Sequence, residues 1–132
     1  MLDSRHQRLD RRQDMGYRQL QVYERSYKAA LAVYRMTKRF PEREKYGMTS
    51  QMQRAGISVA LNIAEGYAKK SSQEEFKRFL LMALGSANEM SVLIDFSKDL
   101  GYITEEEYKK ASREYEEIGK MLNKFIQTVN EA

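Results

Sequence analysis

The sequence predicts an all-α protein, an up-down-up-down four-helix bundle. Apolar residues recur at spacings of three and four in four separate stretches. Three Ser/Thr-x-x-Glu/Gln boxes stand where the second, third and fourth helices should begin. With seven Gly and one Pro in 132 residues, the chain is lean in the punctuation that hairpins need.

Residues 1–16 are polar and mixed in charge, with Leu2, Leu9 and Met15 as their apolar anchors, and read as a mobile or frayed helical tail. The bundle domain is expected over 17–132. Helix one should run from Tyr17 to Arg39, with Leu20, Tyr23, Tyr27, Ala30, Leu31 and Tyr34 as its buried face. Pro41 biases Phe40 away from helix and ends it. Helix two should start near Ser50, whose box is completed by Gln53, and run to Lys69 with Gly66 as a kink or early end. Helix three opens on the Ser72/Glu75 box and stops before Gly101, and helix four opens on Thr104/Glu107. Mid-helix glycine costs about 1 kcal/mol relative to alanine. Gly56 and Gly85, with Ala55, Ala60, Ala83 and Ala87, are therefore expected to let helices two and three approach closely. Met48, Met52, Met82, Met90 and Met121 read as core fillers.

Helix two is apolar around most of its circumference. From Ala55 to Ala64 only one polar stripe interrupts it, Gln51, Arg54, Ser58, Asn62, Glu65 and Lys69. Such a helix needs cover from more than one side, which predicts contact with another subunit. Arg54, Ser58, Asn62 and Glu65 are read as interface wiring that sets register, with Glu65 pairing to Lys69 or to a neighbour's arginine.

The chain has no cysteine, which removes disulfides and thiolate chemistry and fits a cytoplasmic protein. No uninterrupted apolar run approaches the roughly 18 residues of a membrane span, and no secretory signal or membrane partner is expected. The sole histidine, His6, lies in the charged tail, so neither a di-iron Glu-x-x-His pair nor a Ser/His/Asp arrangement can be assembled. Glu65, Glu89 and Asp95 lack the further ligands a hard cation would need. The reading is non-enzymatic: no catalytic residue, cofactor or metal.

Charge is uneven. Net charge is +4 overall and +6 over residues 1–40, where ten basic residues face four acidic ones. On helix one, Arg18, Arg25, Lys28, Arg35 and Arg39 fall within about 100° on a helical wheel, Lys38 lies at the edge, and Glu24 alone opposes them. This stripe is the candidate nucleic-acid-binding surface, read as a phosphate contact because no base-reading module is present. The other readings are a solvated face, or contact with an acidic protein or neighbouring subunit.

Ordered motifs support a family assignment. Tyr17-Arg18-Gln19-Leu20-Gln21-Val22-Tyr23, Phe40-Pro41, Glu44-Lys45-Tyr46-Gly47, Arg54-Ala55, Asn62-Ile63-Ala64-Glu65-Gly66, Glu75-Phe76-Lys77-Arg78-Phe79-Leu80 and Asp99-Leu100-Gly101-Tyr102-Ile103 follow one another over residues 17–127. The chain resembles the four-helix-bundle family of 23S rRNA-intervening sequence proteins, with the accessory variability determinant of diversity-generating retroelements as a more distant relative. The resemblance implies a bacterial homopentamer without known catalytic residues. The retroelement relatives bind nucleic acid and a reverse transcriptase through a basic surface. The expected function is electrostatic binding of RNA or DNA, beside a partner enzyme such as a reverse transcriptase. The alternative is an assembly or adaptor module whose basic face meets an acidic partner.

Overall fold

A computed structural model describes residues 16–131. His6, Leu2, Leu9, Met15 and the rest of the expected tail before Gly16 lie outside the described residues. A 3-10 turn at Gly16–Gln19 leads into α1 (Gln21–Thr37), and a second at Glu42–Glu44 precedes α2 (Met48–Ala68). Then come α3 (Gln73–Asp99) and α4 (Glu105–Glu131). Among the described residues there is no strand. The connections are short, so consecutive helices run antiparallel, and α2 with α3 and α3 with α4 form the most extensive pairs.

Helix ends follow local chemistry. The Ser72 hydroxyl accepts from the Glu75 backbone N–H at 3.2 Å. At α4 the box closes in both directions, Glu107 N–H to Thr104 Oγ1 at 3.1 Å and Thr104 N–H to Glu107 Oε1 at 2.9 Å. Gly101 ends α3 at φ +78°, in the left-handed region, so that Tyr102 N–H reaches the Ser97 carbonyl at 2.8 Å and Gly101 N–H the Lys98 carbonyl at 3.0 Å. α2 departs from expectation. It begins at Met48 rather than near Ser50, and the acceptor is the Glu44 carboxylate, bonded by Met48 N–H at 3.2 Å. Tyr102 holds that carboxylate from across the bundle, its hydroxyl donating to Glu44 Oε2 at 2.6 Å. Glu44 is thereby held below the usual carboxylate range.

The core joins Val22, Val33 and Met36 of α1, Met52, Val59 and Ile63 of α2, Leu80, Met90 and Ile94 of α3, and Tyr115, Ile118 and Leu122 of α4. This corrects the expected face of α1. Tyr27, Leu31 and Tyr34 are exposed, Tyr27 at 51%. Ala30 of the expected face is buried and Leu20 and Tyr23 pack against the core, but the rest of the inward face is Val22, Ser26, Ala29 and Val33. These are smaller, and α2 packs directly on them: a Cβ on Gly56 would meet Ala30 Cα in ordinary van der Waals contact at 3.5 Å. Ser26 and Thr37 are buried at little cost because each hydroxyl donates to a carbonyl one turn back, Val22 at 2.7 Å and Val33 at 2.9 Å.

The small residues also work differently from the expectation. Gly56 faces Ala30 of α1 and Tyr115 of α4 rather than α3. Gly66, neither a kink nor an end, serves α2–α3: a Cβ there would come within 2.9 Å of Phe79 Cβ. Gly85 has no atom within 4 Å of where its Cβ would be. Met82 is exposed rather than a core filler, while Met52 and Met90 are fully buried.

Two apolar faces stay in water. Ile57 and Leu61 of α2 join Tyr27, Leu31 and Tyr34 in one, so the second apolar side of α2 is left open within the subunit. On α3, Leu81, Gly85, Val92 and Phe96 form a stripe opposite the core, with Asn88 as its one polar member. Among the described residues, one 18-residue window of α3 is apolar enough to cross a membrane by composition alone, yet only 33% of that window is buried inside the chain.

Candidate nucleic-acid interface

The basic residues of α1 divide by what holds them. Arg18, in the first 3-10 turn, stacks its guanidinium on the Tyr17 ring at 4.8 Å. Arg25 is clamped by Glu114 of α4 through two bonds, Nε to Oε1 at 3.0 Å and Nη2 to Oε2 at 2.9 Å, with Glu117 a further 4.0 Å from Nη1. Arg39 bonds Glu107. Lys28 pairs along its own helix with Glu24 at 2.9 Å. Arg18, Arg35 and Lys38 form no ion pair among the described residues. The stripe is therefore opposed by α4 carboxylates as well as by Glu24, which the charge count on helix one alone did not reveal.

These pairs join α1 to α4 but add little stability. Arg25 and Glu114 are 38% and 35% exposed, and such pairs are worth about 1 kcal/mol or less. Hydrogen bonding to Arg39, reinforced by the Thr104 N–H, holds the Glu107 carboxyl below its ordinary range, and bonding to Glu114 raises Arg25.

Between the two helices lies a groove of about 700 Å³. Its floor is apolar and small: Ala29, Ala32, Val33, Met36, Ala111 and the ring of Tyr115. Arg25, Lys28, Arg35, Arg39 and Lys110 line its rim, against the carboxylates Glu107 and Glu114. Lys110 comes from the acidic half of the sequence. Lys109 and Arg113 flank it in an adjoining groove with Glu106 and Glu117. Residues far apart in the chain thus build one cationic surface, and the sequence signal for the α4 part, Lys109, Lys110 and Arg113 at 1, 3 and 4 spacing, was hidden by its acidic neighbours.

The polar stripe of α2 is partly brought together. Ser58 crosses to Ser86 of α3, Oγ to Oγ at 2.8 Å. Asn62 bonds back within its own helix, to the Ser58 carbonyl at 2.8 Å and its hydroxyl at 3.0 Å. Arg54 is exposed at the outer edge, where it shares a groove with Tyr34, Ile57 and Glu89. Glu65 is exposed and forms no ion pair with Lys69, whose ammonium lies over the Phe79 ring at 4.8 Å. Among the described residues, no group of three or more His, Cys, Asp or Glu side chains is placed to hold a metal ion.

Comparison with known proteins bears on this arrangement. The family model described as 23S rRNA-intervening sequence protein matches residues 18–124. A crystal structure of a protein of unknown function from the S23 ribosomal protein family of Bacteroides thetaiotaomicron superposes with a TM-score of 0.73 at 29% identity, covering 80% of this chain and 95% of that one. No functionally curated protein matches.

Proposed function

The chain belongs to the 23S rRNA-intervening sequence protein family, and we propose that it is a non-enzymatic homo-oligomer, a pentamer, that binds RNA or DNA electrostatically in the cytoplasm. The contact surface is the basic face of α1 together with Lys110 across the groove, and the role is that of an accessory to a partner enzyme such as a reverse transcriptase. One observation carries the reading: five cations from two helices converge on one groove against two carboxylates. Arg35 and Lys110 form no ion pair among the described residues, which leaves them available for phosphates. Repetition around a ring multiplies the field and favours a polyanion.

A salt titration of RNA binding tests this. Affinity should fall linearly with log salt, and removing one phosphate contact should flatten the slope by about 0.7–0.9. Arg35→Gln and Lys110→Gln are expected to flatten it more than Arg25→Gln, whose charge is already opposed by Glu114. If neither RNA nor DNA binds at low salt while the oligomer is intact, the reading fails.

The apolar floor of the groove favours a second reading. A phosphate backbone gains nothing from Ala29, Ala32 and Ala111, whereas an acidic amphipathic helix would bury its apolar face on them. Binding by such a partner, with a shallow salt slope and a negative heat-capacity change, would support the adaptor instead.

A further inference from the structure

Tyr46 is the most exposed large apolar side chain among the described residues, with 88% of it in water. It stands in the turn between the second 3-10 segment and α2, apart from the apolar faces of α1/α2 and α3. Its backbone is pinned on both sides. Lys45 N–H reaches the Glu42 carbonyl at 3.0 Å, and Gly47 N–H the Glu44 carbonyl at 2.9 Å. The Lys45 ammonium lies 5.5 Å from the centre of the Tyr46 ring. Packing within the subunit does not account for a ring so exposed on so fixed a backbone.

Tyr46 borders a hollow of about 430 Å³, within the range of about 300–1,000 Å³ typical of small-ligand sites. Phe40 and Pro41 give it an apolar side, and Lys38 and Lys45 give it two cations against one carboxylate, Glu42. Glu44, two residues on, is already bonded by the Tyr102 hydroxyl and the Met48 N–H. Ser50 and Gln53 also line the hollow. Gln53 gives its amide N–H to Thr37 Oγ1 at 3.1 Å, which leaves its carbonyl oxygen as an acceptor.

We propose that this hollow is a single-strand subsite: Tyr46 stacks one unpaired base of an RNA or DNA strand, and Lys38 and Lys45 hold the phosphates beside it. This rests on the nucleic-acid reading above and names the part of the nucleic acid that is recognised. The rim selects a nucleotide over an apolar protein segment. An aliphatic side chain docked on Tyr46 would take two ammonium groups and a carboxylate out of water without partners. A nucleotide instead offers a π face to the ring, anionic oxygens to the lysines and a polar edge to Ser50 and Gln53. The subsite also continues the groove. Lys38 and Arg39 are consecutive residues at the end of α1, Lys38 lining this hollow and Arg39 the α1/α4 groove. A strand that leaves the groove past Arg39 comes to Lys38 and Tyr46. In a duplex the bases are stacked inside the helix, so Tyr46 serves single strands alone.

Fluorescence anisotropy with a short labelled RNA, as a single strand and annealed into a duplex, tests the subsite. Tyr46→Ala should weaken single-strand binding about 5- to 100-fold, the contribution of one stacked base, and leave duplex binding and the salt slope unchanged. Tyr46→Phe keeps the ring and should bind as wild type. Lys45→Gln should instead flatten the salt slope. Because Tyr46 is exposed, helicity by circular dichroism and mass by light scattering should match wild type in each variant. If Tyr46→Ala binds the strand as wild type does, or weakens strand and duplex alike, the subsite is overturned and the phosphate reading stands. If the wild-type protein binds neither form at low salt, the phosphate reading itself fails. Adenosine monophosphate that competes as tightly as the strand would give the hollow to free nucleotides and overturn the assignment to a strand. A changed assembly mass for Tyr46→Ala would make the ring a subunit contact and overturn it too.

Discussion

Tyr115 crosses the core from α4 and leaves its hydroxyl between α1 and α2 without a hydrogen-bond partner among the described residues. Burial pushes its ionisation well above the ordinary phenol range, so it stays neutral at any physiological pH. An unsatisfied buried hydroxyl costs about 1–3 kcal/mol. Tyr115→Phe removes it and keeps the ring, so stability should be unchanged or rise by about 1 kcal/mol, read as a higher urea midpoint at constant m. A clear loss of stability would show that the hydroxyl has a partner. Glu44 and Glu107 act in the opposite direction. Both are held below the usual glutamate value near 4.5, Glu44 first by Tyr102 and Glu107 first by Arg39. Between the unfolded and folded values the unfolded chain binds more protons. Their contribution is therefore complete above about pH 5 and is lost as pH falls below 4.5 through the folded values. Urea midpoints should drop over that acid window, and the Glu44→Gln/Glu107→Gln double variant should show a smaller drop from a lower starting point.

Between elements, the glycines decide how closely helices pack. Gly66→Ala would place a methyl 2.9 Å from Phe79 Cβ and 3.3 Å from the Phe76 carbonyl oxygen, neither at the end of a flexible chain. α2 and α3 must part, at a cost of about 1–3 kcal/mol. Gly85→Ala meets nothing within the subunit and should stabilise it by about 0.5–1 kcal/mol through helix propensity. Thermal melts of the two variants compare them, and equal effects would contradict this assignment of the contacts. The contrast also explains what sequence could convey about the elements. Ser72, Thr104 and Gly101 act on groups within five residues of themselves, so the caps and the stop were readable from local pattern. The start of α2 was not, because Glu44 is placed by Tyr102, 58 positions away. The inward face of α1 was legible only in part, at Leu20, Tyr23 and Ala30, because large apolar residues such as Tyr27, Leu31 and Tyr34 outweigh small ones on a helical wheel. At the crossing with α2, small residues are what fit.

For the whole molecule, the basic half of the candidate site was visible as a charge excess over residues 1–40, and the groove was not. Arg25 meets Glu114 across 89 positions and Arg39 meets Glu107 across 68, and a charge count along the chain carries no register between α1 and α4. The same count hid Lys110 among seven carboxylates. The proposed phosphate contact rests on counterion release and weakens steeply as salt rises. RNA should therefore dissociate from the wild-type protein between about 0.1 and 0.5 M salt, followed by sedimentation, and Lys110→Gln should move that release to lower salt. At about 1 M salt the screening length is about 3 Å, so a complex that persists there would be held by apolar contact with the groove floor rather than by phosphates.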